Sequence, residues 1–174
     1  MLEGLITSRT RIKMLLKFFT NSTSTAYLRG LAEEFDESTN SIRHELNNLS
    51  KAGYLVSAEN GRTVEYRANT NHPLFQDLKS LVHKYLGLDK IIENIVFKLG
   101  DLQAAYIIGD YAKGKDSGTI ELLLVGAIDE DYALKLVEKA KKLIQRDIKI
   151  CIISKAQWEQ QEKVIAPLLL WTTD

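Results

Sequence analysis

Apolar positions in the first half of the chain recur at helical spacing, in blocks separated by polar breaks. Ile12, Leu15, Leu16 and Phe19 follow a polar start at Thr7 and Ser8, which predicts a first helix ending in the loop Asn21 to Thr25. Leu28, Leu31, Ala32 and Phe35 mark a second, short helix. Asp36 to Ser38 makes the next turn, with Ser38 suited to cap a third helix carrying Ile42, Leu46 and Leu49 and closing at Gly53. Two extended runs follow, Tyr54 to Glu59 and Arg62 to Arg67. The Asn60-Gly61 pair between them is the strongest short hairpin signal, since both residues tolerate positive φ. Leu74, Phe75, Leu78, Leu81, Val82 and Tyr85 predict a further helix broken by Gly87. Leu88, Ile91, Ile92, Ile95, Val96 and Leu99 predict another, closed by Gly100.

The rhythm then changes. Ala104 to Ile108 and Thr119 to Val125 are apolar runs of strand length, a helical stripe lies between Asp129 and Arg146, and Ile148 to Ile153 is a further strand. The expectation is an α+β chain with domains at residues 1–72 and 101–174, joined by a helical linker over 73–100. The segment Ala166 to Trp171 is apolar but short and is expected to pack against its own domain or a second subunit.

Composition narrows the picture. The 174 residues include 23 basic and 23 acidic side chains, 45% apolar residues and one cysteine. No apolar run reaches the ~20 residues of a membrane span. Charges at Glu3, Arg9, Arg11, Lys13 and Lys17 interrupt any secretory signal. Cys151, expected in a buried strand, cannot form an intrachain disulfide by itself, so a reducing cytoplasm is the expected home. Zero net charge argues against an unspecific nucleic-acid coat but permits a local basic face.

Such a face emerges when the third helix is advanced by about 100° per residue. Asn40, Arg43, His44, Asn47 and Lys51 then share one side, and Ile42, Leu46 and Leu49 the other. Glu45, the helix's single acid, points away from the polar stripe. Asn and Arg are the residue types whose paired donors and acceptors match adenine and guanine edges in the major groove. Three helices followed by a hairpin is the order of a winged helix-turn-helix, which sets its third helix in that groove. The candidate DNA-binding residues are Thr39, Asn40, Arg43, His44, Asn47, Lys51 and, beside the hairpin turn, Arg62. Arg9, Arg11 and Arg29 are candidates for phosphate neutralisation. A solvated helix face used for protein contacts is the plainer alternative.

Over residues 8–85 the chain resembles winged-helix transcriptional regulators of the ArsR and MarR type. Leu28 to Phe35 is similar to their second helix, Ser38 to Leu49 to their recognition helix, and Ala52-Gly53-Tyr54-Leu55-Val56 to the start of their wing. The resemblance implies double-stranded DNA as partner and a homodimer. Metal-sensing members need clustered ligands. Here His44, His72 and His83 are dispersed, so no metal site is expected.

A second constellation lies at Gly109-Asp110-Tyr111-Ala112-Lys113-Gly114, between the two apolar strands. A glycine ending a strand allows close backbone approach, and freed amides can hold an anion. The string is similar to the nucleotidyltransferase fold, which implies a small α/β domain with a mixed sheet. Gly109, Ala112, Lys113 and Gly114 match the family pattern. Asp110 stands in place of its serine, and Thr119 and Glu121 in place of its two metal carboxylates. Two-metal phosphoryl transfer needs clustered carboxylates to hold both ions. Gly109, Asp110, Lys113, Gly114 and Glu121 are therefore read as a vestigial nucleotide loop, with no catalytic residue and no cofactor expected. The combined expectation is a DNA-binding regulator whose degenerate second domain serves sensing or subunit contacts and leaves room for a small-molecule or nucleotide effector. The alternatives are a nucleotidyltransferase acting on a protein or small molecule, and an antitoxin-like partner protein.

Overall fold

The computed structural model describes residues 2–160 and 166–173. It is an α+β structure in which residues up to Tyr85 form one compact unit and residues from Leu86 onward a second.

The first unit opens with helix α1 (Arg9–Thr20), whose start is fixed by Ser8 Oγ accepting a hydrogen bond from the Arg11 amide. Strand β1 (Thr25–Tyr27) leads directly into α2 (Leu28–Phe35), which ends where Asp36 turns left-handed at φ 53°. Helix α3 (Thr39–Lys51) is capped by Ser38 Oγ, which accepts from the Ser41 amide. It closes with the Tyr54 amide donating to the Leu49 carbonyl and the Gly53 amide to the Ser50 carbonyl, a paired bond that needs the positive φ of Gly53. The apolar stripes of α1, α2 and α3 are buried as their spacing demands, except that Leu28 at the start of α2 stays half-exposed. Ile12, Leu15, Phe19, Leu31, Phe35, Ile42, Leu46 and Leu49 are all buried, and each fully buried large side chain contributes about 1.5–3 kcal/mol.

Strands β2 (Leu55–Asn60) and β3 (Thr63–Ala68) form the expected antiparallel hairpin, and helix α4 (Phe75–Leu86) follows. Two features differ from expectation. Thr25–Tyr27 adds a third strand, paired antiparallel with β3 in the order β1-β3-β2. Three residues are too few to show an alternating pattern. The turn is also displaced by one residue, because Asn60 pairs with Thr63 and leaves Gly61-Arg62 as its centre. Only Gly61 has positive φ (62°) there, the requirement of a two-residue loop with glycine first.

The second unit contains α5 (Leu88–Asn94), β4 (Leu102–Ile108), the single turn α6 (Gly109–Ala112), β5 (Thr119–Gly126), α7 (Glu130–Ile144), β6 (Asp147–Ile153), α8 (Lys155–Gln160) and β7 (Leu168–Thr172). The sheet order is β6-β5-β4-β7, with β5 and β6 parallel across the α7 crossover and the other pairs antiparallel. The sheet is therefore mixed, and the apolar carboxy-terminal run packs on its own unit as an edge strand.

The helix expected over Leu88 to Leu99 stops at Asn94 and resumes as a 3₁₀ turn at Val96–Lys98. Asn94 Nδ2 donates to the Lys90 carbonyl, a local bond of the kind that competes with helix continuation. Cys151, expected to be buried, is exposed. It lies on the edge strand β6, where Lys149 and Cys151 face outward and Ile148 faces the core. Among the described residues no helix is long and apolar enough to cross a membrane.

Candidate nucleic-acid interface

Helix α3 carries its two faces as projected. Thr39, Asn40, Arg43, His44, Asn47 and Lys51 are all exposed, opposite the buried Ile42, Leu46 and Leu49. Glu45 is buried. Its carboxylate accepts from Ser8 Oγ at 2.8 Å and from Arg11 Nε at 2.9 Å, so the helix's one negative charge is matched inside the unit. Arg11 is thereby committed to Glu45, which corrects its expected role as a free phosphate ligand. Lys13 pairs with Glu37 and Lys17 with Glu34 in the same way. Hydrogen bonds from Thr10, Lys13 and Ser41 outweigh the effect of burial and hold the Glu37 carboxyl below its ordinary pKa. Arg9, Arg29, Arg43, Lys51 and Arg62 have no ion-pair partner among the described residues.

Between α3 and the hairpin runs an open groove of about 650 Å³. Arg43 and Asn47 reach it from α3, Arg29 from α2 and Arg62 from the turn. Leu28, Val64 and Tyr66 supply apolar surface, and among the described residues no carboxylate lines it. Asn40 and His44 instead meet Arg43 and Asn47 in a shallower depression of about 400 Å³, with Ser41 and Glu45 completing its wall. Thr39 and Lys51 lie toward the two ends of the helix and line neither. The groove can admit a polyanionic strand, with guanidinium groups drawn from α2, α3 and the turn and planar or aliphatic surface for sugars and bases.

Tyr27 also lines this groove, although no periodicity or motif in the sequence singles it out. Its hydroxyl donates to Glu65 Oε1 at 2.6 Å and accepts from Asn60 Nδ2 at 3.2 Å. The bond to Glu65 is the main reason the phenol titrates above its usual value of 10.0.

In the second unit, Gly109 directly follows β4 and lies beside Glu121, since Ile108 and Glu121 are paired across β4 and β5. The Glu121 carboxylate fills the space next to Gly109, where a side chain would collide with it. Lys149 is its neighbour on β6. The Asp110 carbonyl accepts from the Lys113 and Lys115 amides at 3.0 Å each, while Lys113 is exposed and Gly114 buried.

The loop after Gly114 is tied down by a network without any local sequence signal. Tyr111 donates its hydroxyl proton to Asp116, and Arg146, 30 positions away, places Nη2 at 2.7 Å and Nε at 3.3 Å from the same carboxylate. Burial would raise the Asp116 pKa, but the bonds from Arg146 and Tyr111 outweigh it and lower it. Burial and the neighbouring Asp116 carboxylate push the Tyr111 phenol up. No three His, Cys, Asp or Glu residues among those described are grouped to hold a metal ion.

No protein-family model matches the chain, and no curated protein matches it. Two solved structures are similar to it. One is a tri-AMPylated HEPN toxin in complex with MNT antitoxin from Shewanella oneidensis, 21% identical, covering 51% of this chain and 71% of that one at a TM-score of 0.38. The other is TrmBL2, an archaeal chromatin protein described as showing a novel mode of DNA binding. It is 14% identical, covering 90% of this chain and 73% of that one at a TM-score of 0.29.

Proposed function

We propose that the chain is a sequence-specific regulator of transcription that binds double-stranded DNA through its first unit, a winged helix-turn-helix. Helix α3 enters the major groove, and the β2–β3 hairpin is the wing. The observation that carries this reading is the groove in which Arg29, Arg43 and Arg62 converge with Asn47, lined by no carboxylate among the described residues. In the proposed complex the Arg43 guanidinium donates to a guanine edge, and the Asn47 amide pairs with an adenine edge. Arg29 and Arg62 hold phosphates and set the register without reading sequence. A homodimer would present two such helices to half-sites about one DNA turn apart.

The second unit is proposed to be a non-catalytic nucleotidyltransferase-like domain used for sensing or subunit contacts. Asp110 and Glu121 bring negative charge to the loop where a triphosphate would lie, and the Glu121 carboxylate occupies the approach to Gly109. Selection of genomic fragments by the purified protein tests the first reading, and recovery of no preferred sequence overturns it. For the second unit the expected result is no magnesium-dependent release of pyrophosphate from ATP. Release that is abolished by Glu121→Gln would identify an enzyme.

A further inference from the structure

The wing tip stands beyond the reach of its third strand. Strand β1 pairs with β3 only at Thr25↔Arg67, Ala26↔Tyr66 and Tyr27↔Glu65. From Asn60 to Val64 the hairpin is a two-stranded ribbon, and a ribbon of that kind is marginally stable alone. Tyr27 is the last residue of β1 and immediately precedes α2. Its hydroxyl accepts a hydrogen bond from Asn60 on β2 and donates one to Glu65 on β3. One phenol thus clamps both strands on either side of the Gly61-Arg62 turn to the root of α2.

We propose that Tyr27 is a positioning residue for the wing, whose hydroxyl sets where Arg62 stands across the groove from Arg43. The inference rests on the DNA-binding reading and adds to it the part that makes the wing a preorganised contact. Preorganisation matters because ordering a loose tip on binding would cost affinity. The same bond also occupies the Glu65 carboxylate, the acid nearest the tip on β3.

The test uses the full chain with Tyr27→Phe, which removes one hydroxyl and keeps the ring. Amide hydrogen exchange of the free protein should quicken over residues 60–64, while α1 to α3 keep their protection. On a duplex recovered by selection, Tyr27→Phe should bind about threefold to tenfold more weakly, the scale of one hydrogen bond. The double variant with Arg62→Ala should bind no worse than Arg62→Ala alone, because Tyr27 acts through Arg62. Glu65→Gln, whose amide oxygen still accepts from the phenol, should bind at least as well as the unaltered chain. Unchanged exchange over residues 60–64, or a Tyr27→Phe loss that persists in full beside Arg62→Ala, overturns the positioning role. If the unaltered chain selects no duplex, the DNA reading itself falls, and the positioning role with it.

Discussion

Glu45 shows how much one residue decides about the character of a helix face. Helical projection turns it away from Asn40, Arg43 and Asn47. Only packing shows that it is buried against Ser8 and Arg11, the latter 34 positions away in sequence. Replacing Glu45 with Ala would remove its bonds to Ser8 and Arg11 and is expected to cost about 1–3 kcal/mol, read as a lower urea midpoint at unchanged slope. Arg43 is the opposite case, exposed and without an ion-pair partner among the described residues. Its replacement by Ala should leave stability within about 0.5 kcal/mol. It should relax preference at one base position by about 1–3 kcal/mol in a competition assay across operator variants. Residue types at helical spacing made these exposed candidates legible. Their grouping with Arg29 and Arg62, and the loss of Arg11 to Glu45, depend on contacts between elements.

At the scale of elements, the helices of the first unit follow their apolar stripes closely, and their caps at Ser8, Ser38 and Gly53 are where local chemistry places them. The hairpin was equally visible, but its turn register was not. Asn-Gly suits two positive φ values, whereas cross-strand pairing of Asn60 with Thr63 gives the central positions to Gly61 and Arg62. Gly61 at φ 62° should therefore resist a side chain, and Gly61→Ala is expected to destabilise the hairpin by about 1 kcal/mol. Melting curves of the two proteins would measure it. Arg62, at the turn itself, should act on every sequence alike. Arg62→Ala is expected to weaken binding uniformly and to reduce the slope of log affinity against log salt by about one. Strand β1 lay below the threshold of any periodicity argument, because its existence is a matter of partners rather than pattern.

Across the whole molecule, the even balance of 23 basic and 23 acidic side chains conceals different local arrangements. In the first unit Glu34, Glu37 and Glu45 pair with Lys17, Lys13 and Arg11, while Arg29, Arg43 and Arg62 gather around one groove. In the second, Asp116, Arg146 and Tyr111 lock the loop between α6 and β5. The lowered Asp116 pKa carries a pH dependence. Its stabilisation is complete above the ordinary carboxylate range and is lost as pH falls through the depressed folded-state value. Asp116→Asn should cost about 2 kcal/mol at neutral pH. The difference from the unaltered chain should shrink progressively as the solution is acidified below about pH 4, the usual carboxylate value. Chemical denaturation followed over a pH series would check both.

The sequence by itself determined the order of the helices and strands other than β1, α6, α8 and β7, the change of rhythm near the middle of the chain, the two faces of α3 and the presence of a hairpin. All of these follow from side-chain periodicity and local backbone preference, which act over a few residues. Tertiary structure decided the rest. It paired β1 with β3, moved the turn onto Arg62, buried Glu45 against Arg11, exposed Cys151 on an edge strand and closed the Asp116 network. The physical reason is common to them all. Hydrogen-bond partners, strand register and burial depend on residues brought together from distant positions, and no short stretch of chain contains that information.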